Sequence, residues 1–560
     1  MKTKRLFPGA LLIVSLTLVL RLPYVINISI LQYDEATYAV RGAMMNRPGA
    51  VLYVDVFADT APLMNYLYAA VYALARDQGK TILSVQCLGI IWTLLTTAVI
   101  YRIARKFESG KAAFPAALFY AVFSTTFGTS ETVAANAELF MVLPLAIGAL
   151  FFLRGLRTES GRDYLFAGGF CGVGFLFKQP GIVDLGAMLA LPSLLALAGK
   201  ADFRAAGRTV LLVIAGFLAP LVLISAYFLS RGALREFYFW SWAYRFRYVG
   251  AVPLSVGVLT ALEMMWRLVV CNFVFWVFVF FSLASVKSLR FKSGYAFCWL
   301  WGLFSILGAA AGRRHFPHYY IQVIPPFSVL AGLGVFTAME WLRPADRRES
   351  GRGRHRAAVV VIAASLALTA LVAHHETAPG WNEMGIRDFF RFRRFPHPQQ
   401  EMGDYIRENT READTIFVWG FSPQLYVLSG RLPGTRYMLV DPLIGVSPPD
   451  EHTGYFPGVM ENFLRDLESN RPVYFVDTSF SPHDRFCAEH PVSRYPRLKE
   501  YLQENYRLER EIDRKLFYRR RDRGPAEVKP DNTRFPRLTW GADFPGLSGS
   551  DLSLAVPEVL

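Results

Sequence analysis

Long apolar runs separated by short basic loops fill residues 1–375, and they constrain this chain more than any other feature. A helix needs about 20 mostly apolar residues to cross a bilayer. Lipid offers the backbone no hydrogen-bond partners, so only helices and closed barrels can span it. The runs are 6–29, 82–101, 112–130, 138–155, 164–178, 180–199, 209–230, 268–286, 294–311, 319–340 and 357–374. They predict a mostly α, polytopic membrane domain with about eleven spans.

The basic residues between the runs predict how the chain is oriented. The predicted inside loops, which alternate with the outer ones, are all basic: 102–111, 155–163, 200–208, 287–293 and 341–356. Cytoplasmic loops carry an excess of Lys and Arg. We therefore expect these loops inside, together with the basic N-terminus, in a multi-pass protein of a bacterial inner membrane. An odd number of spans then puts the C-terminal part outside.

Residues 62–76 (PLMNYLYAAVYALAR) are apolar but short for a comfortable span. Three Tyr residues among them suit a helix lying in the membrane interface. Counting this segment as a span would also reverse the side of every later basic loop. The charge pattern therefore favours an interfacial helix within a first outer loop at about 30–80.

Acidic residues stand in that first outer loop. Asp34 and Glu35 come just past the first run, and Asp59 follows later. Partial burial or a neighbouring like charge raises the pKa of a carboxylate toward the range that suits a general base. The pair is therefore a candidate base or metal ligand, but its spacing fits two solvated loop acids equally well.

Basic residues also occupy the predicted outer side, where the charge rule leaves Lys and Arg scarce. Lys178 and Gln179 lie at one loop tip, and Arg313 and Arg314 at another. Such cations favour an anionic ligand, since Arg binds phosphate bidentately and Lys as a point charge. The outer loop 231–267 interleaves Arg with aromatic residues, which suits an isoprenoid tail or a sugar. An aromatic belt with lipid head-group contacts explains that loop equally well.

Five short sequence motifs lie on the predicted outer side of the membrane. They are Tyr33–Ala39 (YDEATYA), Asp59–Leu67 (DTAPLMNYL), Asn136–Phe140 (NAELF), Phe177–Pro180 (FKQP) and Arg314–Gln322 (RHFPHYYIQ). In this order they resemble the membrane glycosyltransferases of the GT-C fold. The likeness is closest to the group of protein mannosyltransferases, aminoarabinose transferases and lipopolysaccharide-core sugar transferases, and it covers roughly 1–375.

The resemblance implies a sugar donor linked to polyprenyl phosphate and an inverting transfer. The acceptor, a lipid, glycan or protein, would bind outside the membrane, and no nucleic-acid partner is expected. Asp34 takes the role of catalytic base, Glu35 is its neighbour and Glu138 matches the second acidic position of the family. Lys178, Arg314 and His318 fall where contacts to the donor phosphate are expected. Further candidate substrate-binding residues are Tyr38, Asp59, Gln179, Arg313 and Tyr319.

The chain departs from the family at one motif. Many relatives have a basic residue and two prolines before the interfacial helix, whereas this chain has Asp59-Thr60-Ala61-Pro62. The departure argues against a strict aminoarabinose transferase. No His/Asp cluster has metal-ligand spacing, and the five Cys form no CxxC pair. We therefore expect no cofactor and a metal-independent reaction, although a divalent metal remains an alternative.

Residues 376–525 predict a small extracytoplasmic α/β domain, because helical and strand patterns alternate there. The predicted elements are helices at 400–409 and 456–469, strands at 414–420 and 471–477, and a late helix or strand at 506–519. No glycine loop for phosphate is present. The domain is expected to bind acceptor or to act as a structural cap, and 526–560 reads as a loosely ordered tail.

Two other functions fit the same helices and basic loops. A transporter or flippase for lipid-linked glycans would have internal repeats and paired polar residues near the bilayer midplane, and the sequence indicates neither. A non-catalytic polysaccharide-assembly protein could share the fold, and only the acidic residues argue against it.

Overall fold

The computed structural model describes residues 6–26, 31–107, 110–126, 129–250, 252–285, 291–341, 397, 399–444, 458–479 and 488–523. The predicted span 357–374, nearly all of the basic loop 341–356 and the tail 526–560 lie outside the described residues.

The membrane part of the chain is built from helices. In chain order they are α1 (Leu6–Ile26), α2 (Tyr33–Met45), α3 (Pro62–Ala75), α4 (Gln78–Ala104), α5 (Ala113–Phe123), α6 (Thr129–Val133), α7 (Ala137–Thr158), α8 (Gly161–Phe177), α9 (Gly181–Leu197), α10 (Phe203–Ser230), α11 (Leu234–Tyr238), α12 (Tyr244–Gly250), α13 (Leu254–Cys271), α14 (Phe273–Phe281), α15 (Lys292–Ala310) and α16 (Ile324–Trp341). A π-helical turn (Phe239–Ala243) joins α11 to α12, and a 3₁₀ turn (Pro317–Val323) leads into α16.

Seven of these helices are long and apolar enough to cross a membrane: α1, α4, α7, α10, α13, α15, and α16 with its leading turn. Helices α5, α9 and α14 are shorter apolar helices. The predicted multi-pass helical protein is thereby confirmed. The Tyr-rich α3 has 14 residues and is not among the candidate spans, and its predicted place in the interface stays a prediction.

Helix α13 adds a detail that the sequence did not predict. Residues 231–267 were expected to form an outer loop, and this stretch contains most of an 18-residue apolar helix. Its exposed large side chains recur at helical spacing, at Leu254, Val258, Leu262 and Trp266, so they share one face. This amphipathic pattern is typical of a helix that lies along a membrane surface.

Both ends of α13 lie at one end of the helical bundle. At its start, the Gly257 carbonyl is 2.8 Å from His315 Nε2. At its end, Leu268 lines a small cavity together with Ser124 and Pro317. Pro317 and His315 belong to the same short connection before α16. The helix therefore does not carry the chain to the opposite end of the bundle.

Small residues let the helices pack closely. A Cβ atom at Gly168 of α8 would lie 1.9 Å from the carbonyl oxygen of Val213 in α10. A Cβ atom at Gly216 of α10 would lie 2.0 Å from the carbonyl oxygen of Leu165. In lipid, close backbone approach of this kind replaces the hydrophobic driving force that packs helices in water.

The C-terminal part folds around a five-stranded sheet of order β2-β1-β3-β5-β4. Its elements are α17 (Gln400–Glu408), β1 (Thr415–Trp419), α18 (Gln424–Ser429), β2 (Leu432–Pro433), α19 (Asp441–Ile444), α20 (Val459–Asn470), β3 (Tyr474–Asp477), α21 (Pro496–Asn505), β4 (Tyr506–Ile512) and β5 (Lys515–Arg520). Strand β1 runs parallel to β2 and β3, whereas β5 is antiparallel to β3 and β4. The two predicted helices and two predicted strands are confirmed, and the late segment 506–519 forms a β-hairpin of β4 and β5.

This domain sits on the residues that follow α2. Arg47 Nη2 donates to the Pro433 carbonyl at 3.0 Å, and the Phe57 amide donates to the Arg436 carbonyl at 3.0 Å. The Phe57 ring packs on Trp240 and on Tyr437 of the domain. The domain is thereby held beside the first outer loop, where the predicted site residues begin.

Candidate active site

Helix α2 presents one polar face to the site. Asp34, Tyr38 and Arg41 are spaced by four and three residues, so their side chains share that face. Asp34 lies in the first turn, where the helix dipole favours a negative charge. Tyr38 stacks on Tyr68 of α3, with ring centroids 5.6 Å apart. The face therefore begins with a carboxylate and ends with a guanidinium.

Three carboxylates meet at His318. Its Nδ1 lies 2.7 Å from Glu131 Oε2, while its Nε2 lies 3.5 Å from Glu138 Oε1 and 3.9 Å from Asp34 Oδ2. The ammonium of Lys178 forms an ion pair with Glu138. We call these five residues the carboxylate half of the site.

Asp34 is the most accessible of the three carboxylates. Its side chain is 35% exposed, against 30% for Glu131 and 2% for Glu138. Burial nevertheless raises the pKa of Asp34, and the positive charges of His318 and Lys178 offset only part of that rise. A carboxylate with a raised pKa is a better general base than a fully solvated one.

Glu35 faces a different environment. It is fully buried, and one of its oxygens accepts from Gln86 Nε2 at 3.0 Å and from the Ala135 amide at 2.8 Å. The other oxygen accepts from the Tyr24 hydroxyl at 3.1 Å. These contacts join α2 to α1, α4 and the connection before α7.

A second cluster is formed by Asp59, Arg41 and Arg245, one to two helical turns beyond Asp34 along α2. We call it the guanidinium half of the site. Asp59 Oδ1 is 3.3 Å from Arg41 Nη2, and its Oδ2 is 3.1 Å from Arg245 Nη2. Burial acts to raise the pKa of Asp59, but Arg245 and Arg41 hold it below its usual value. Asp59 thus fixes two guanidinium groups side by side.

Asp441 enters the same half from the C-terminal domain. It interacts electrostatically with Asp59 and with Arg41, Arg245 and Arg314. Burial, and next the charge of Asp59, raise the pKa of Asp441 to about 7. The charge of the guanidinium half therefore depends on a residue outside the membrane domain.

Tyr319 connects the two halves. Its ring lies 4.3 Å from Lys178 Nζ, within the range of a cation–π contact. It interacts electrostatically with Glu138 and Asp34 on one side and with Arg245 and Arg314 on the other. The carboxylates and the guanidinium groups therefore border one continuous site.

Two predicted site residues bind backbone instead. Gln179 Nε2 donates to the Ser241 carbonyl at 3.0 Å, and Arg313 Nη1 donates to the Val252 carbonyl at 2.8 Å. Both side chains hold the segment that carries Arg245. In the described ranges, no group of three or more His, Cys, Asp or Glu side chains has the geometry of a metal site.

Sequence reasoning left four residues of the site unassigned: Arg41, Glu131, Arg245 and Asp441. Arg41 had a signal, since it follows Asp34 by seven residues on a helix and so falls on the same face. Arg245 lay in the outer loop 231–267, whose Arg and aromatic residues gave no indication of what each would contact, and Glu131 stood in none of the five matching sequence motifs. Asp441 had no local signal, because only the docking of the C-terminal domain brings it to the site.

Residues 59–228 match the model of the dolichyl-phosphate-mannose-protein mannosyltransferase family. No curated protein matches the chain in sequence.

Among solved structures, the chain is similar to ArnT from Cupriavidus metallidurans bound to undecaprenyl phosphate. The TM-score is 0.56 at 15% identity, and the match covers 91% of this chain and 97% of ArnT. It is also similar to the archaeal oligosaccharyltransferase AglB from Archaeoglobus fulgidus, with a dolichol-phosphate and an inhibitory peptide. That TM-score is 0.50 at 13% identity, over 85% of this chain and 70% of AglB. The chain therefore shares the fold of these two solved structures, and its residues 59–228 resemble the dolichyl-phosphate-mannose-protein mannosyltransferase family.

Proposed function

We propose that the protein transfers a sugar from a polyprenyl-phosphate donor to an acceptor hydroxyl, with inversion at the anomeric carbon. The observation that carries the proposal is the division of one site into a carboxylate half and a guanidinium half. The bound lipid phosphates of ArnT and AglB support the choice of donor.

In this reaction Asp34 is the general base. It takes the proton of the acceptor hydroxyl while that oxygen attacks the anomeric carbon. Asp34 suits the role because it is the most exposed of the three carboxylates and has a raised pKa. Glu138 does not, since it is almost fully buried and bound to Lys178.

The guanidinium half stabilises the leaving phosphate. The bond between sugar and phosphate breaks, and its electron pair stays on the phosphate oxygen. Arg41 and Arg245 are held 3.3 and 3.1 Å from Asp59, so they need little reorganisation when the charge develops, which is what electrostatic stabilisation of a transition state requires. We propose that these groups make a metal ion unnecessary, and that EDTA leaves the rate unchanged.

The acceptor approaches between the membrane domain and the C-terminal domain. The ring of Phe421, which follows β1, packs near the ring of Tyr33, with the two ring centroids 6.2 Å apart. Tyr33 directly precedes Asp34 in the chain. This placement supports a role of the domain in acceptor binding. The acceptor is a lipid, a glycan or a protein that carries a free hydroxyl, and the predicted orientation puts it on the periplasmic side of a bacterial inner membrane.

The test uses the full chain in lipid nanodiscs with a panel of polyprenyl-phosphate sugars. A membrane lipid extract and, separately, Ser/Thr peptides serve as acceptors, and mass spectrometry follows released polyprenyl phosphate and glycosylated product. We expect release by the wild type and a loss of about 100-fold or more in Asp34→Asn. Asp55→Asn is the matched control, because Asp55 is an exposed carboxylate of the same loop. Equal release by wild type and Asp34→Asn would place the base elsewhere. No release with any donor would favour a transporter or a non-catalytic assembly protein.

A further inference from the structure

The imidazole of His318 is held in one orientation. Its ring stacks on Phe316, with planes 6° apart, and meets Tyr319 edge-on at 90°. Its side chain is 10% exposed, and Glu131 fixes it from one side at 2.7 Å. A ring packed on two aromatic neighbours and bonded at one nitrogen has little freedom to turn.

The hydrogen bond between His318 Nδ1 and Glu131 determines that the other ring nitrogen, Nε2, faces Asp34. An ionised carboxylate only accepts, so Nδ1 donates its hydrogen to Glu131. Nε2 is then left to face Asp34 and Glu138. In the neutral ring Nε2 carries a lone pair toward Asp34, and in the protonated ring it carries a hydrogen. A carboxylate that selects the histidine tautomer in this way is a recurring element of acid–base sites.

We propose that Glu131 is the positioning residue of His318, which it keeps protonated with the Nε2 hydrogen directed at Asp34. This inference rests on the proposed transfer reaction and extends it. The positive ring favours the ionised form of Asp34, which is the form that takes the proton of the acceptor hydroxyl. After the transfer, Asp34 releases that proton to water through its exposed side.

The distances around His318 fit this role. Glu131 Oε2 lies 2.7 Å from Nδ1, whereas Glu138 Oε1 lies 3.5 Å from Nε2. The 3.9 Å between His318 Nε2 and Asp34 Oδ2 is longer than a hydrogen bond, and catalytic hydrogen bonds often tighten only when substrate binds. Glu138 stays paired with Lys178, so it holds that cation in place.

The charges around Asp34 give the positioning role of Glu131 a measurable pH signature. His318 exerts the strongest positive influence on Asp34, followed by Lys178, while Glu138 and Asp59 oppose them. The negative charge of Glu131 favours the protonated ring, so Glu131→Gln makes that ring lose its proton more readily. Asp34 then loses a positive neighbour, and its pKa rises. Activity needs ionised Asp34, so the acid limb of the pH–rate profile moves to higher pH.

The experiment compares pH–rate profiles of wild type, Glu131→Gln and His318→Gln in nanodiscs. We expect at least a tenfold loss of kcat at neutral pH in Glu131→Gln, with recovery at alkaline pH and little change in the KM for donor. The double variant should lose no more than His318→Gln alone, because the two residues act as one unit. Wild-type transfer together with a Glu131→Gln profile that is reduced equally at every pH would overturn the positioning role and leave the proposed function standing.

A second readout needs no transfer activity. Diethyl pyrocarbonate modifies the unprotonated imidazole, and peptide mass spectrometry reports its addition at His318. In Glu131→Gln this modification should begin at lower pH than in the wild type, and Glu131→Asp, which keeps the charge, should stay closer to the wild type. The same pH dependence in all three proteins would overturn the positioning role, whatever the outcome of the transfer assay.

Discussion

Asp34 and Glu35 are adjacent in the sequence, but their carboxylates have separate environments. Asp34 lies 3.9 Å from His318 at the edge of the site. Glu35 is fully buried and accepts three hydrogen bonds from Tyr24, Gln86 and Ala135. Successive side chains on a helix point about 100° apart, so one carboxylate can face the substrate while the other joins neighbouring helices.

We predict that Glu35 supports the fold and does not take part in the chemistry. Glu35→Met keeps the volume but leaves three buried donors without an acceptor, each worth about 1–3 kcal/mol. The melting temperature in detergent, followed by Trp fluorescence, should fall by several degrees. A Glu35→Gln protein with wild-type stability and no transfer would instead place the base at Glu35.

Asp34→Asn is the matched comparison for that experiment. The folded-state pKa of Asp34 is raised, so its ionisation costs stability as the pH rises through that pKa. A neutral Asn removes this cost. We therefore expect the melting temperature of Asp34→Asn at neutral pH to equal or exceed that of the wild type, even though transfer is lost.

Arg245 should contribute to donor binding. A hydrogen bond to a charged group is worth about 1.5–3 kcal/mol, so Arg245→Ala should raise the KM for the donor by about tenfold or more. Arg235→Ala is the control, because Arg235 is exposed on the preceding helix α11 and should leave the KM unchanged. An unchanged KM in Arg245→Ala would move the phosphate away from the guanidinium half.

The sequence predicted those parts of the fold that depend on local patterns. Apolar runs predicted the helical membrane domain, and the segment before Trp419 was recognised as a buried strand. The sequence could not distinguish a helix that crosses the membrane from one that stays at the same end of the bundle. Helix α13 has the composition of a span, and only the contacts of Gly257 and Leu268 near both of its ends show that it does not cross.

The site residues also divide into those that a local pattern predicts and those that it does not. Asp34 and Lys178 were predicted because each stands at the end of an apolar run. Their partners come from distant segments, and no local pattern indicates that Glu131 contacts His318. No basic residue precedes Pro62 in the sequence motif, but Arg41 of α2 lies beside Asp59 and places a cation there.

The helix packing gives a prediction that is independent of the chemistry. Gly168→Ala puts a methyl group within 1.9 Å of the Val213 carbonyl oxygen, and α8 must move away from α10. Overpacking of this kind costs about 1–3 kcal/mol or more, so the melting temperature should drop. Gly207→Ala in α10 has no neighbour within 4 Å of the new Cβ, and it should be neutral or slightly stabilising. Equal melting temperatures for the two variants would contradict the close approach.

Asp441 should make donor binding depend on pH. The pKa of Asp441 is raised to about 7, so the side chain is neutral below that pH and anionic above it. Above it, the new negative charge cancels part of the positive charge of Arg41, Arg245 and Arg314. The phosphodiester of the donor keeps one negative charge throughout this range, so a change in its affinity reports on the protein.

We therefore expect the KM for the donor to rise several-fold as the pH passes upward through about 7. Asp441→Asn should keep the low KM at every pH, whereas Asp55→Asn should follow the wild type. The acid limb that Asp34 imposes appears in kcat, so the two ionisations can be separated by steady-state kinetics at each pH. If the KM of Asp441→Asn still rises with pH, the titrating group lies elsewhere, and the C-terminal domain does not set the charge of the phosphate site.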